Sequence, residues 1–206
     1  MESPKTLTRE EMQVLLDWLR LHLPRYDGYH RQLRDYGLAV FLCETGLRVG
    51  ELVGLRLGDV VFAGEAVKTL VVRAEIAKGK KERSVPVSAA LKVRIGILAR
   101  KLWYAHLDEG DSYCWYRTDR FHHLSVRSVE GMVRKAGLAA LGRPVHPHVL
   151  RHTFATNMMR VTSARVVQEL LGHADLRSTQ IYTHPNGDDL AAAIAAKDAV
   201  ERGNDG

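Results

Sequence analysis

The hydrophobic period of this chain changes twice, and those two changes limit what it can fold into. As far as Leu55 the apolar residues recur at helical spacing; from Asp59 to Val87 they gather in β-branched runs; from Ser88 onward helical spacing returns. A helical period cannot present one apolar face from a strand, nor an alternating period from a helix. The fold expected is therefore mainly α with a small antiparallel β-sheet, an α+β domain around one core.

Local signals divide the pattern into elements. Thr8 and Glu11 form a capping box ahead of Met12, Leu15, Leu16 and Leu19, and Pro24 stops this first helix. Leu33, Tyr36, Val40 and Phe41 mark a second helix closed by Gly46; Leu52 and Leu55 mark a short third, which leaves Arg48 at the junction. Strands are predicted at Val60–Phe62, Leu70–Ala77 and Ser84–Val87, separated by Gly64 and by the turn Lys78-Gly79-Lys80-Lys81. Leu91, Ile95, Leu98 and Leu102 behind Ser88 predict a helix, as do Val126, Val129 and Val133 between Ser125 and Gly137. The stretch from Ser112 to His123 between them has no period. Leu150, Phe154 and Met158 outline another helix. Val166, Val167, Leu170 and Leu171 outline the next, capped by Ser163 and ended by Gly172, and Leu190, Ala193, Ile194 and Lys197 form a last one in an alanine-rich tail.

Composition narrows the function classes. The formal net charge is +6 with charged residues at 26%, and the positive charge is spread along the chain, which favours a polyanionic partner. No apolar run approaches the ~18 residues of a membrane span, and Met1 to Arg20 is too polar for a signal peptide. The two cysteines, Cys43 and Cys114, fall in a helix and a strand-like segment and read as buried free thiols of a reducing compartment.

One segment, His148-Val149-Leu150-Arg151-His152, sets a histidine and an arginine one turn apart at a helix start. Backbone N–H groups and the positive dipole end point the same way, an arrangement suited to phosphate. Alone, such a pair is more commonly a helix cap and a surface ion pair. Zinc is disfavoured although His146, His148, His152 and His173 recur here, because no full ligand set follows and the arginines repel a cation. No metal and no cofactor is expected.

Further segments occur in a fixed order around it: Thr45-Gly46-Leu47-Arg48-Val49-Gly50-Glu51-Leu52, Lys78 in its Lys-Gly-Lys turn, Leu171-Gly172-His173, and Gln180-Ile181-Tyr182-Thr183-His184. Together they resemble the tyrosine recombinase (phage integrase) family, its Xer-like members in particular, over nearly the whole chain. The resemblance implies the tyrosine recombinase catalytic-domain fold and site-specific cutting and rejoining of double-stranded DNA through a 3′-phosphotyrosyl link. It implies that Arg48 and Arg151 bind the scissile phosphate, that His148 and His173 assist, that Lys78 is the general acid and that Tyr182 is the nucleophile. Glu51, one turn beyond Arg48, would hold its guanidinium.

The chemistry is coherent in its own right. Guanidinium forks match phosphate oxygens and favour the charge of the transition state. A tyrosine of pKa about 10 is short of ionisation at neutral pH by about 4 kcal/mol, which neighbouring cations help to supply. A sugar alkoxide needs a proton to leave, and arginine is too weak an acid to give one, whereas a lysine on a hairpin tip is not. Lys80 and Lys81 lie close enough to Lys78 to be confused with it as the acid; the resemblance favours the lysine directly before the glycine, and the other two are expected to contact DNA. Arg127, Arg134 and Lys135 on one helix are expected to touch phosphates without reading sequence.

The resemblance further implies one catalytic domain over 1–206 and a tail helix at about 187–201, whose Leu190 and Ile194 stripe suits either docking into a neighbouring subunit of a tetramer or packing onto its own domain. Most relatives carry a core-binding domain ahead of this one, whereas the first helix here begins near Thr8 and none is expected; the protein is expected to be cytoplasmic and nucleoid-associated. Two alternatives stay open at this point: a type IB topoisomerase that relaxes supercoils, and a non-catalytic DNA-binding regulator of a full-length recombinase.

Overall fold

The computed structural model describes residues 6–21 and 29–172. Helix α1 (Arg9–Leu21) begins where the capping box places it: the Thr8 backbone N–H donates to Glu11 Oε2 at 2.9 Å, and the Glu11 N–H donates to Thr8 Oγ1 at 3.1 Å. It buries Leu15 and Leu19 against α2 (Tyr29–Thr45) and α6 (Val126–Leu141). Each such leucine contributes roughly 1.5–3 kcal/mol by leaving water.

Helix α2 is the core of the molecule. Leu38, Ala39, Val40, Phe41 and Leu42 are all buried, so this stretch is apolar on every side and other helices pack around it. Trp115 closes the packing. Its ring meets Phe41 edge-on at 5.3 Å and Trp103 at 5.5 Å, while Trp103 Nε1 donates to the Cys114 carbonyl at 3.0 Å.

Two short helices, α3 (Val49–Val53) and α4 (Leu57–Val60), lead into the β region. There β1 (Val61–Phe62) pairs antiparallel with β2 (Glu65–Ala66), and β3 (Thr69–Val72) pairs antiparallel with β4 (Arg83–Pro86). Helix α5 (Ala89–Lys101) follows Ser88, whose hydroxyl accepts the Leu91 N–H, and α7 (Pro147–Met159) and α8 (Ala164–Leu171) complete the described fold. The mainly helical architecture with a small antiparallel β component is the one expected from the sequence.

Several boundaries differ from those expected. Val60 ends α4 instead of opening a strand, and the third helix stops at Val53, before Leu55. The strand expected over Leu70–Ala77 ends at Val72. Beyond it the chain turns, with the Ile76 and Ala77 N–H groups donating to the Arg73 carbonyl. Arg73 itself is held by Asp59 at 3.0 Å and by the Gly54 carbonyl at 3.1 Å, so the residue where the strand breaks is tied to α4 rather than to β4. Helix α6 does not end at Gly137. It runs to Leu141 and closes at Gly142 in the left-handed conformation. Gly137 serves close packing: a Cβ there would stand 2.6 Å from the Val145 backbone nitrogen, so the glycine admits the chain returning into α7. Pro24 and the tail helix at 187–201 lie outside the described residues.

Candidate functional site

Three chain segments meet beside the end of α8. The first is the α2–α3 junction. The Thr45 hydroxyl donates to the Phe41 carbonyl at 2.5 Å and spends its side chain inside the last turn of α2. Gly46 then takes φ +61°, where an added Cβ would lie 2.3 Å from the Phe154 ring. Only glycine satisfies both demands, and the turn it makes sends Leu47 into the core and Arg48 outward as the residue preceding α3.

The second is the start of α7. Pro147 occupies its first position, where a missing N–H costs nothing. His148 in the first turn reaches solvent, and Arg151 one turn later is 2% exposed. Arg151 Nη1 donates to the Gly46 carbonyl and its Nη2 donates to the Leu171 carbonyl at 2.8 Å. Arg48 Nη1 donates to the same Leu171 oxygen at 3.2 Å, and its Nη2 to the Gly172 carbonyl at 3.4 Å. Two guanidiniums far apart in sequence thus converge on the carbonyl end of α8, where the helix dipole favours positive charge. Arg48 Nε bonds nothing among the described residues, and 26% of that side chain is exposed.

Glu51 organises the interior side of this cluster. It is 1% exposed, and its carboxylate takes four hydrogen bonds. These come from the Arg48 backbone N–H at 2.9 Å, Arg48 Nη1 at 3.1 Å, Arg83 Nη1 at 3.0 Å and Arg83 Nη2 at 2.6 Å. Burial pushes this carboxyl up, but the hydrogen bonds and charge of Arg83, followed by those of Arg48, outweigh it and hold the group below its ordinary value. Two guanidiniums on one carboxylate leave a positive surplus.

The third contributor is the β3–β4 hairpin, which carries Lys78, Lys80 and Lys81, all exposed. Lys80 has φ +51° and its N–H donates to the Ala77 carbonyl at 3.0 Å, a tight turn that begins at Lys78. Lys78 acts electrostatically on His148. Partial burial first, then the positive charges of Arg151, Arg48 and Lys78, hold the His148 imidazole below its ordinary value, so it is neutral at pH 7. Its ring stands edge-on to His152 at 4.7 Å.

Arg48, Glu51, Lys78, His148 and Arg151 are therefore brought together. Arg127, Arg134 and Lys135 are not part of this cluster; they lie on the exposed face of α6. Lys135 lines a separate cleft of about 690 Å³ with Arg31, Arg34 and Arg117, a cationic surface that the sequence reading did not single out. His173 and Tyr182 lie outside the described residues. Among the described residues no three His, Cys, Asp or Glu side chains gather as metal ligands, and no helix is long and apolar enough to cross a membrane.

Arg83 was also missed. Strand alternation was the available signal, since Val85 and Val87 on the same side are buried and Arg83 shares their face.

Residues 5–188 match the model of the phage integrase family. The chain belongs to that family. It is 36% identical over 191 residues to the tyrosine recombinase XerC of Azotobacter vinelandii, covering 92% of this chain and 58% of that protein. Among solved family structures, a XerA recombinase superposes with a TM-score of 0.72 at 30% identity, covering 96% of this chain and 66% of the other. A XerH site-specific recombinase in a post-cleavage complex with its palindromic difH substrate also gives a TM-score of 0.72, at 25% identity, covering 94% of this chain and 53% of the other. The chain spans a little over half the length of such relatives.

Proposed function

We propose that this chain cuts and rejoins double-stranded DNA at specific sites through a covalent 3′-phosphotyrosyl link to Tyr182. The observation that carries this reading is the convergence of Arg48 and Arg151, from the α2–α3 junction and α7, on the carbonyl end of α8, with neutral His148 and cationic Lys78 within electrostatic reach. Two preorganised forks of N–H donors suit the non-bridging oxygens of a phosphodiester and the added charge of its transition state.

In the proposed reaction Tyr182 Oη loses its proton to water and forms a bond to phosphorus, the bond from phosphorus to the 5′-oxygen breaks, and Lys78 gives that oxygen a proton and regains one from water. His148 and His173 assist at the phosphate. Conserving the bond energy in the phosphotyrosyl link lets a 5′-hydroxyl reverse the step without a nucleotide cofactor. Glu51 orients Arg48. Lys80, Lys81, Arg127, Arg134 and Lys135 hold the duplex by its phosphates, in keeping with the chain's formal net charge of +6. Similarity to recombinases solved on DNA supports the duplex as partner. Assembly into a tetramer through the tail helix, and a place in the cytoplasm at the nucleoid, belong to the same proposal.

A pool of nicked duplexes of randomised sequence tests it. The wild-type chain is expected to capture DNA covalently on a denaturing gel, and Tyr182→Phe to capture none. Capture that persists in Tyr182→Phe overturns the assignment. Sequence-specific binding with no capture favours the non-catalytic regulator, and relaxation of arbitrary plasmids by a monomer favours the topoisomerase.

A further inference from the structure

Arg83 lies five residues beyond Lys78 on the same hairpin, at the first position of β4. Its side chain is 9% exposed, and all three of its nitrogens are committed. Nη1 and Nη2 grip the two oxygens of Glu51 at 3.0 and 2.6 Å, and Nε donates to the Leu170 carbonyl at 3.0 Å. That carbonyl is the neighbour of the Leu171 oxygen on which Arg48 and Arg151 converge. Next along the chain, Gly172 closes α8, and an added Cβ there would lie 2.9 Å from Arg83 Cδ. Beyond Gly172 the chain continues to His173 and Tyr182.

We propose that Arg83 is a positioning residue: it ties the hairpin bearing Lys78 and the end of α8 to the Arg48 guanidinium, so that general acid and phosphate clamp are set as one unit. This rests on the recombinase reading above. Arg83 touches neither phosphate nor leaving group and acts through Glu51 and the Leu170 carbonyl. A planar fork is required, because one face must satisfy both carboxylate oxygens while Nε points along the chain to a different acceptor. Lysine, a single ammonium on a flexible stem, supplies the charge without that geometry. The effect falls on the organisation of the cleavage step, whereas duplex affinity comes mainly from phosphate contacts elsewhere on the surface.

The test uses the full chain and the duplex that wild type captures best, and compares the rate of covalent capture at saturating duplex with the duplex concentration that gives half that rate. Arg83→Met and Arg83→Lys are both expected to lower the saturating rate roughly 10- to 100-fold, the range seen when a supporting hydrogen bond is cut, with half-saturation shifted by less than about threefold. In a Glu51→Gln background, Arg83→Met is expected to cost less than about threefold more, because the link is already broken. Capture by Arg83→Lys at the wild-type rate, parallel loss of affinity and rate, or full additivity with Glu51→Gln would each overturn the proposal.

Amide hydrogen exchange without DNA gives an independent arm. Arg83→Met is expected to speed exchange about tenfold or more at two amides far apart in sequence. One is Gly172, which donates to the Gln168 and Glu169 carbonyls, and the other is Arg48, which donates to Glu51. Unchanged exchange at either amide overturns the proposal. A wild-type chain that captures no DNA counts against the recombinase reading alone, and exchange then decides the role of Arg83.

Discussion

Removing the Glu51 carboxylate is expected to destabilise the fold more than any other single truncation at the site. The side chains of Glu51 and Arg83 are 1% and 9% exposed, and Glu51→Ala leaves the Arg83 guanidinium buried with a lone carbonyl acceptor. Breaking a buried ion pair from one side costs about 3–5 kcal/mol, since the remaining charge has no compensation. In a domain of this size each kcal/mol lowers Tm by roughly 2–4 °C, so a fall on the order of 10 °C is expected. The double variant Glu51→Leu/Arg83→Met removes both charges and should regain at least half of that loss, because an apolar pair of similar volume is often as stable as a buried ion pair.

Urea unfolding at a series of pH values measures both effects. The carboxyl of Glu51 is held below its ordinary value in the fold. Its contribution to stability is complete above the unfolded carboxylate pKa, about 4.3, and is lost as pH falls through the lower folded pKa. Glu51→Gln should flatten wild type's loss of stability in that acid window. Glu51→Ala within about 1 kcal/mol of wild type, or a double variant less stable than the sum of the single ones, would refute the reasoning.

Other consequences follow from the same geometry. The imidazole of His148 is held below its ordinary value of 6.5, so the fold loses stability as pH falls from 6.5 toward the folded pKa. A DNA phosphate beside it relieves the repulsion of Arg151, Arg48 and Lys78, so anisotropy titrations at constant salt should show affinity rising as pH drops through this range, and His148→Gln should flatten the rise. Arg127→Ala, Arg134→Ala and Lys135→Ala should each reduce the slope of log affinity against log salt by roughly 0.9, and a slope unchanged in all three would remove α6 from the interface. Gly137→Ala should cost about 1–3 kcal/mol in urea melts because its Cβ meets the Val145 backbone. Gly131→Ala, on the same helix with open space around it, should gain roughly 0.5–1 kcal/mol.

Helix existence was legible in the sequence wherever caps and period agreed. Thr8 with Glu11, Ser88, Ser125 and Ser163 each start a helix, and their side chains make the capping bonds. Misreadings occurred where a residue's reason was tertiary. Gly137 has the look of a helix end but is there for the approach of Val145. The Leu70–Ala77 run has strand composition throughout, and Arg73, drawn toward Asp59 and the Gly54 carbonyl, marks where it breaks. In the site, Arg48, Glu51, Lys78, His148 and Arg151 were visible because their motifs occur in the order and spacing that resemble one family; taken singly, each has a commoner structural explanation. Arg83 sits in the charged run Lys80-Lys81-Glu82-Arg83, and its partners Glu51 and Leu170 are remote in sequence. Its inward orientation follows only from the alternation with Val85 and Val87.

The central claim is that Tyr182 is the residue joined to DNA. Proteolytic digestion of the captured complex, removal of the DNA to a short oligonucleotide stub and mass spectrometric sequencing would locate the link. The account predicts a 3′-phosphate ester on the peptide that contains Gln180-Ile181-Tyr182-Thr183-His184. A link on any other side chain, or one made to a 5′-phosphate, would contradict it.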